Sequence, residues 1–286
     1  MYSRRPEERG FRSVGLRIGQ IDYANCHPIF SALRNNFDCN GYRFVRGTPA
    51  ELNRLLQSGD IDVCPSSSIA YARSAKTYRL LPGLSISSEG PVKSVKLFSR
   101  FPLEKLDGMP VGLTSESETS IALLSIIFKK YYQFKNTFFS VEVNEDFNVG
   151  GSCPAVLVIG DTALRWGLNR CELYQYDLGE LWLSLTGLPF VFALWMIRDD
   201  VVTGMHDEAM RIRDRLLAAK KIAFATMDGL ASRCSEYAWM GRDNLLDYWK
   251  TISYDLTPRH IEGVRKFFRA AWEVGILEGE PAIRFV

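Results

Sequence analysis

The chain is expected to be an α/β protein of two lobes, and two patterns in the sequence predict it. From Gly15 onward short apolar runs alternate with loops and helix starts, which argues for a mostly parallel sheet. The alternation resumes near Met109 over a stretch of similar size, whereas the segment beyond Arg198 is helical and too poor in strands for a third sheet. The length of 286 residues allows one large domain or two of roughly 100–150 residues. A hydrophobic content of 47% with 24% charged residues is ordinary for a globular chain.

Residues 15–21 read as a first strand that ends in the loop 22–28, and residues 29–35 as a short helix. Residues 42–46 read as a second strand. Thr48, Pro49 and Glu51 then form a helix start, with a cap, a first-turn proline and a glutamate three residues after the cap. That helix is expected to stop at Gly59, ahead of a buried strand at 61–64. Ser66, Ser67 and Ser68 follow Pro65 and lead into a helical stretch at 69–74. The tract 85–94 reads as a hydroxyl-rich, glycine-turned loop running into an alternating strand at 94–99.

In the second stretch, residues 109–114 read as a strand and 115–120 as the approach to an apolar helix at 121–132. Residues 155–159 are a continuous apolar strand closed by Gly160 and Asp161, with a helix beginning at Thr162. Residues 186–193 continue the apolar pattern. Four helices are expected beyond, at about 207–220, 230–240, 244–251 and 257–274, the last with a Thr-Pro start and apolar spacing at Ile261, Val264, Phe267, Phe268 and Ala271. The expected division is a discontinuous first lobe, 13–97 plus 195–286, a second lobe, 98–194, and a flexible arm, 1–12. Strands at 95–99 and 191–197 would cross between the lobes, and the C-terminal helices would return to cover the first.

Several function classes find no support. A net charge of +2 leaves no nucleic-acid footprint. Six cysteines are scattered without a CxxC pair or a Cys/His cluster, so neither a metal site nor a cofactor is expected. No run approaches the ~20 apolar residues that span a bilayer, and the charged arm lacks the apolar core of a secretory signal. A cytoplasmic location is therefore expected, with no membrane partner. Gly-x-x-x-x-Gly-Lys, Gly-x-Gly-x-x-Gly and Gly-x-Ser-x-Gly are all absent.

Four loops recur at strand ends: 23–28, 66–68, 87–94 and 114–120. Ligands of open parallel sheets bind at the carboxyl ends of strands, so these loops could converge on one cleft. Serine-rich loops also serve simply as helix caps, and a helix start with free N–H groups favours an anion either way. His27, the one imidazole in these loops, reads as a general base or as a loop histidine packed beside Pro28. His206 and His260 read as solvated. Asp161 could bond a substrate hydroxyl or cap the next helix, and Glu89 reads as a rim residue or a carboxylate base.

Taken together, these runs resemble the chorismate dehydratase family of the futalosine route to menaquinone. The matching segments are 17–28, 47–53, 59–62, 66–71, 81–88, 90–95, 117–120, 159–164, 176–179 and 186–193. The resemblance implies the two-lobed fold of type 2 periplasmic binding proteins, with mixed sheets and an interlobe cleft. It implies a lyase that takes chorismate to 3-[(1-carboxyvinyl)oxy]benzoate and water. Asn25 and Ser94 match the family's active-site residues. Tyr23, Ser67, Ser68, Gly90, Val92, Ser117, Thr119, Ser120, Gly160 and Asp161 would line the substrate pocket by position. His27 departs from the family, where small or apolar residues are usual. Neither Asn25 nor Ser94 titrates near neutral pH, so the base is expected to be the substrate's own enolpyruvyl carboxylate. The rivals are 1,4-dihydroxy-6-naphthoate synthase, whose reaction calls for a cleft histidine, a solute-binding protein, and a ligand-sensing regulatory domain.

Overall fold

The computed structural model describes residues 15–114 and 117–286. The expected arm 1–12 and two residues of the 115–120 approach lie outside the described residues. The chain begins with β1 (Arg17–Ile21), α1 (His27–Asn36), β2 (Arg43–Gly47), α2 (Pro49–Ser58), β3 (Val63–Ser67), α3 (Ser68–Arg73) and β4 (Tyr78–Ser88). A second series follows: β5 (Val95–Ser99), β6 (Pro110–Thr114), α4 (Glu118–Ile126), β7 (Thr137–Val141), β8 (Ala155–Ile159), α5 (Gly160–Asn169), β9 (Tyr174–Asp177) and α6 (Leu178–Thr186). The chain then returns through β10 (Phe190–Arg198) to α7 (Asp199–Gly204), α8 (His206–Ala225), α9 (Met227–Ala231), α10 (Tyr237–Met240), α11 (Arg242–Thr251) and α12 (Pro258–Glu273).

Two five-stranded sheets result, ordered β2-β1-β3-β10-β4 and β7-β6-β8-β5-β9. Each is mixed in the same way. In the first, β10 runs antiparallel to both β3 and β4, while β1 pairs parallel with β2 and β3. In the second, β5 runs antiparallel to β8 and β9, while β6 pairs parallel with β7 and β8. The strands expected to cross between lobes are these two antiparallel strands, and each pairs within a single sheet. Passage between sheets occurs instead at residues 89–94 and 178–189. An entering strand must run against its neighbours, because it comes from the end of the sheet where the parallel strands finish.

Local chemistry sets the elements. Thr48 accepts the Glu51 N–H, and the Glu51 carboxylate accepts the Thr48 N–H at 2.9 Å, closing the capping box of α2. β3 and β8 are buried along their whole length, as central strands covered on both faces require. α8 packs on α1 and β4, and α12 on β10, α3 and α4, so the C-terminal helices cover the first sheet and reach the second.

Four expectations need correction. Residues 85–88 are not loop but the end of the long strand β4, and the serines there are fully buried. Ser85 and Ser87 donate to the carbonyls of Asp255 and Ser253, which leaves a loop only at 89–94. The helix expected at 230–240 is two short ones, α9 and α10, parted by a turn at 232–236. Strands β7 and β9 also form, from exposed segments without a clean alternation. Finally, His260 is 1% exposed rather than solvated: its ring joins the capping box of α12 through Thr257, with Nε2 3.7 Å from Glu89.

Candidate active site

A cavity of about 70 Å³ lies where the strand ends of the two sheets face each other. Its walls are Ile21 at the end of β1, Tyr23 and Asn25 after it, Pro49 on α2, Ser67 at the end of β3, and Ile86 of β4. Ser94 and Val95, Ser117 and Ser120, Ile159 and Gly160, and Phe192 and Ala193 of β10 complete it. Apolar walls with a few convergent polar groups are what a small-molecule site requires. No carboxylate, imidazole, ammonium, guanidinium or thiol is among these described lining residues.

Each polar group has a definite setting. Asn25 sits in the turn between β1 and α1, and its Oδ1 is buried without a hydrogen-bond partner among the described residues. Its backbone carbonyl accepts the Tyr254 hydroxyl at 2.7 Å. Ser94 is 2% exposed, ends the 89–94 loop, and has its Oγ 3.5 Å from the Val92 carbonyl. Behind it lies the buried phenol of Tyr248, whose pKa burial pushes well up while a hydrogen bond to Ser94 pulls it back. Ser67 is clamped by Asn53, whose Nδ2 donates to its Oγ at 3.0 Å. Ser117 caps α4 by accepting the Ser120 N–H at 3.2 Å, and the two hydroxyls lie 2.9 Å apart. Gly160 opens α5 at φ +63°, and the face that a Cβ would occupy is taken by the ring of Tyr23.

The family model described as menaquinone biosynthesis matches residues 16–273. This chain belongs to that family. It is 34% identical over 203 residues to the chorismate dehydratase of Thermus thermophilus, covering 63% of this chain and 69% of that protein. It is 31% identical over 180 residues to the chorismate dehydratase of Campylobacter jejuni, spanning 65% of that protein. The resemblance to the chorismate dehydratase family therefore holds, and with it the expectation of an enzyme. Among solved structures, a protein from Archaeoglobus fulgidus superposes with a TM-score of 0.75 at 18% identity, covering 93% of this chain and all of that one. The alkanesulfonate-binding protein of Xanthomonas axonopodis pv. citri, bound to MOPS, gives 0.68 at 12% identity, covering 94% and 96%. These likenesses establish the periplasmic-binding-protein-like fold.

Seven of the twelve residues expected at this family member's site line the cavity: Tyr23, Asn25, Ser67, Ser94, Ser117, Ser120 and Gly160. The other five lie just behind it, in contacts that join or brace the walls. Ser68 donates to the Val191 carbonyl at 2.6 Å. Thr119 on α4 accepts the Ile69 N–H of α3 at 3.2 Å, and Asp161 on α5 accepts the Ala24 N–H of the β1–α1 turn at 3.4 Å, each linking the two halves of the molecule. The Val92 N–H donates to the buried Asp177 carboxylate, which holds the 89–94 loop with Gly90 in it. Burial pushes the Asp177 pKa up, and its N–H donors pull it back.

His27 does not line this cavity. Its ring stacks on Trp249 with centroids 5.9 Å apart and faces a neighbouring cavity of about 500 Å³ beside Glu236 and Cys234. Burial lowers its pKa. Sequence reasoning also missed Asn53, Tyr248, Trp249 and Tyr254, which brace the site from outside. Asn53 lies on α2 four residues after Pro49, so its helical face points to Ser67. The three aromatics lie far along the chain and carry no local signal. Among the described residues no helix is long and apolar enough to cross a membrane.

Proposed function

We propose that this chain is a chorismate dehydratase, converting chorismate to 3-[(1-carboxyvinyl)oxy]benzoate and water. The family and the named relatives support the substrate; the cavity supports the way the reaction runs. The observation that carries the reading is a set of amide and hydroxyl groups in a largely apolar wall, with no carboxylate, imidazole or amine among the described lining residues. Dehydration of chorismate makes an aromatic ring and is strongly downhill, and the substrate carries its own carboxylate beside the proton to be removed. The proton on the ring carbon bearing the ether passes to the substrate's enolpyruvyl carboxylate. The neighbouring C–O bond breaks, and proton and hydroxide depart as water. Asn25 Oδ1 and the Ser94 hydroxyl hold the reactive conformer and steer the leaving hydroxyl, a positioning effect that supplies several kcal/mol. The ring carboxylate is assigned to the start of α4, where the helix dipole and N–H groups favour an anion.

The cavity is far smaller than the ~300 Å³ at the low end of ligand sites. Substrate entry therefore requires the lobes to part, and we take residues 89–94 and 187–189, which join the two sheets outside helix α6, as the hinge segments. The rival naphthoate synthase reading finds no histidine among the described residues of the cavity wall.

Incubation of pure protein with chorismate, followed by chromatography of the aromatic product, tests the activity. Asn25→Ala and Ser94→Ala should each depress kcat far more than they raise KM, and near-normal turnover in both would sink their assignment. A group near pH 6.5 in the kcat/KM profile that vanishes in His27→Ala would overturn substrate-assisted catalysis.

A further inference from the structure

We propose that Trp249 and Tyr254 are positioning residues for the Asn25 amide, so that the C-terminal helices set the working geometry of the β1–α1 turn. The inference rests on the reading of Asn25 given above.

Two hydrogen bonds carry it. The Trp249 indole N–H donates to the Ala24 carbonyl at 2.8 Å, and the Tyr254 hydroxyl donates to the Asn25 carbonyl at 2.7 Å. These carbonyls belong to the two peptide planes that flank the Asn25 Cα. Peptide planes are rigid, so pinning both leaves little freedom in the backbone dihedrals of Asn25 and fixes the direction of its Cβ. The side chain is thereby aimed into the cavity, where Oδ1 has no partner among the described residues.

The donors are themselves buried and packed. Trp249 is 0% and Tyr254 1% exposed, and the His27 ring stacks on Trp249 at an interplanar angle of 5°. Tyr248, next to Trp249, stands behind Ser94, so a segment of seven residues, 248–254, touches the supports of both Asn25 and Ser94. Neither donor touches the cavity, so each acts through Asn25 and not on substrate.

The test is a double-mutant cycle read in single turnovers with excess enzyme and chorismate. Tyr254→Phe removes one oxygen and Trp249→Phe one N–H donor. Each should lower the turnover rate about tenfold to a hundredfold while KM stays within about twofold. In an Asn25→Ala background the same substitutions should cost almost nothing further, because the group they aim is gone. Equal losses in both backgrounds, or full turnover in Tyr254→Phe and Trp249→Phe while Asn25→Ala is slow, would overturn the positioning role and leave Asn25 standing. Normal turnover in Asn25→Ala would overturn both readings together. Should Trp249→Phe fail to fold, Tyr254→Phe decides alone, since it keeps the ring and the packing.

Discussion

The Thr119 hydroxyl on α4 accepts the backbone N–H of Ile69 on α3 at 3.2 Å, so a helix of one sheet is capped by a side chain from the other. The first N–H groups of a helix lack partners within it, and Ser67, at the cap of α3, makes no side-chain cap bond of its own. The ion pair between Arg73 and Glu118 and the Asp161 bond to Ala24 span the same gap. Hydrogen bonds and an ion pair with partners in different lobes thus bridge the cleft in this arrangement.

Thr119→Val keeps the volume and removes the acceptor. The closed arrangement loses about 1 kcal/mol, which water restores to Ile69 only when the lobes part. KM for chorismate should rise about fivefold, with a smaller change in kcat, and solution scattering should show a larger radius of gyration. An unchanged KM would separate Thr119 from closure.

Gly160 offers a sharper steric test. At φ +63° its Cβ would lie 3.1 Å from Cζ of Tyr23, a cavity residue. Gly160→Ala combines left-handed backbone strain with displacement of that ring. Stability should fall by about 1–2 kcal/mol in urea unfolding, and KM should rise. An unchanged KM would mean that the Tyr23 ring moves freely.

Much of this was legible in the sequence, for reasons that particular residues make plain. Thr48, Pro49 and Glu51 announce α2 because a capping box uses only neighbours. The apolar run 155–159 announces β8 because a doubly covered strand needs no alternation. Hydroxyls are harder to read. Ser85 and Ser87 look like loop donors, yet they satisfy the carbonyls of Asp255 and Ser253, some 170 residues away. His260 looks solvated by its charged neighbours, and only the packing of α12 buries it. Trp249 and Tyr254 reach back to the turn at 24–25 through tertiary contact, which no local pattern encodes.

The buried His260 and the half-buried His27 give the fold a pH dependence. Burial is the leading cause that lowers the pKa of both His27 and His260 from 6.5. The unfolded chain then binds more protons than the native one as pH falls through 6.5, so stability is present above that value and is lost below it. Protonation of His260 Nδ1 would also oppose the N–H of Thr257 in the capping box. The melting temperature should be flat above pH ~6.5 and decline towards pH 5. His27→Gln and His260→Gln should each reduce that slope, and an unaltered slope in both would place the titration elsewhere.

The last relationship links a cap to the site. The Asp177 carboxylate accepts the N–H groups of Gly179 at 2.9 Å and Glu180 at 3.2 Å, capping α6. It also accepts those of Val92 at 3.0 Å and Lys93 at 2.6 Å. Lys93 has φ +64°, a left-handed conformation that costs a side-chain-bearing residue about 1–3 kcal/mol, and Ser94 follows it directly. The carboxylate therefore holds a strained residue that sets the direction of Ser94. Asp177→Asn replaces one acceptor oxygen by an amide NH2 donor facing N–H donors. It should cost about 2–4 kcal/mol in denaturant unfolding and lower kcat with it. Adding Lys93→Gly relieves the backbone strain, so part of the stability should return. The freed loop no longer fixes Ser94, so kcat should stay low. Recovery of kcat together with stability would show that Asp177 supports the fold alone and leaves the aim of Ser94 to its other neighbours.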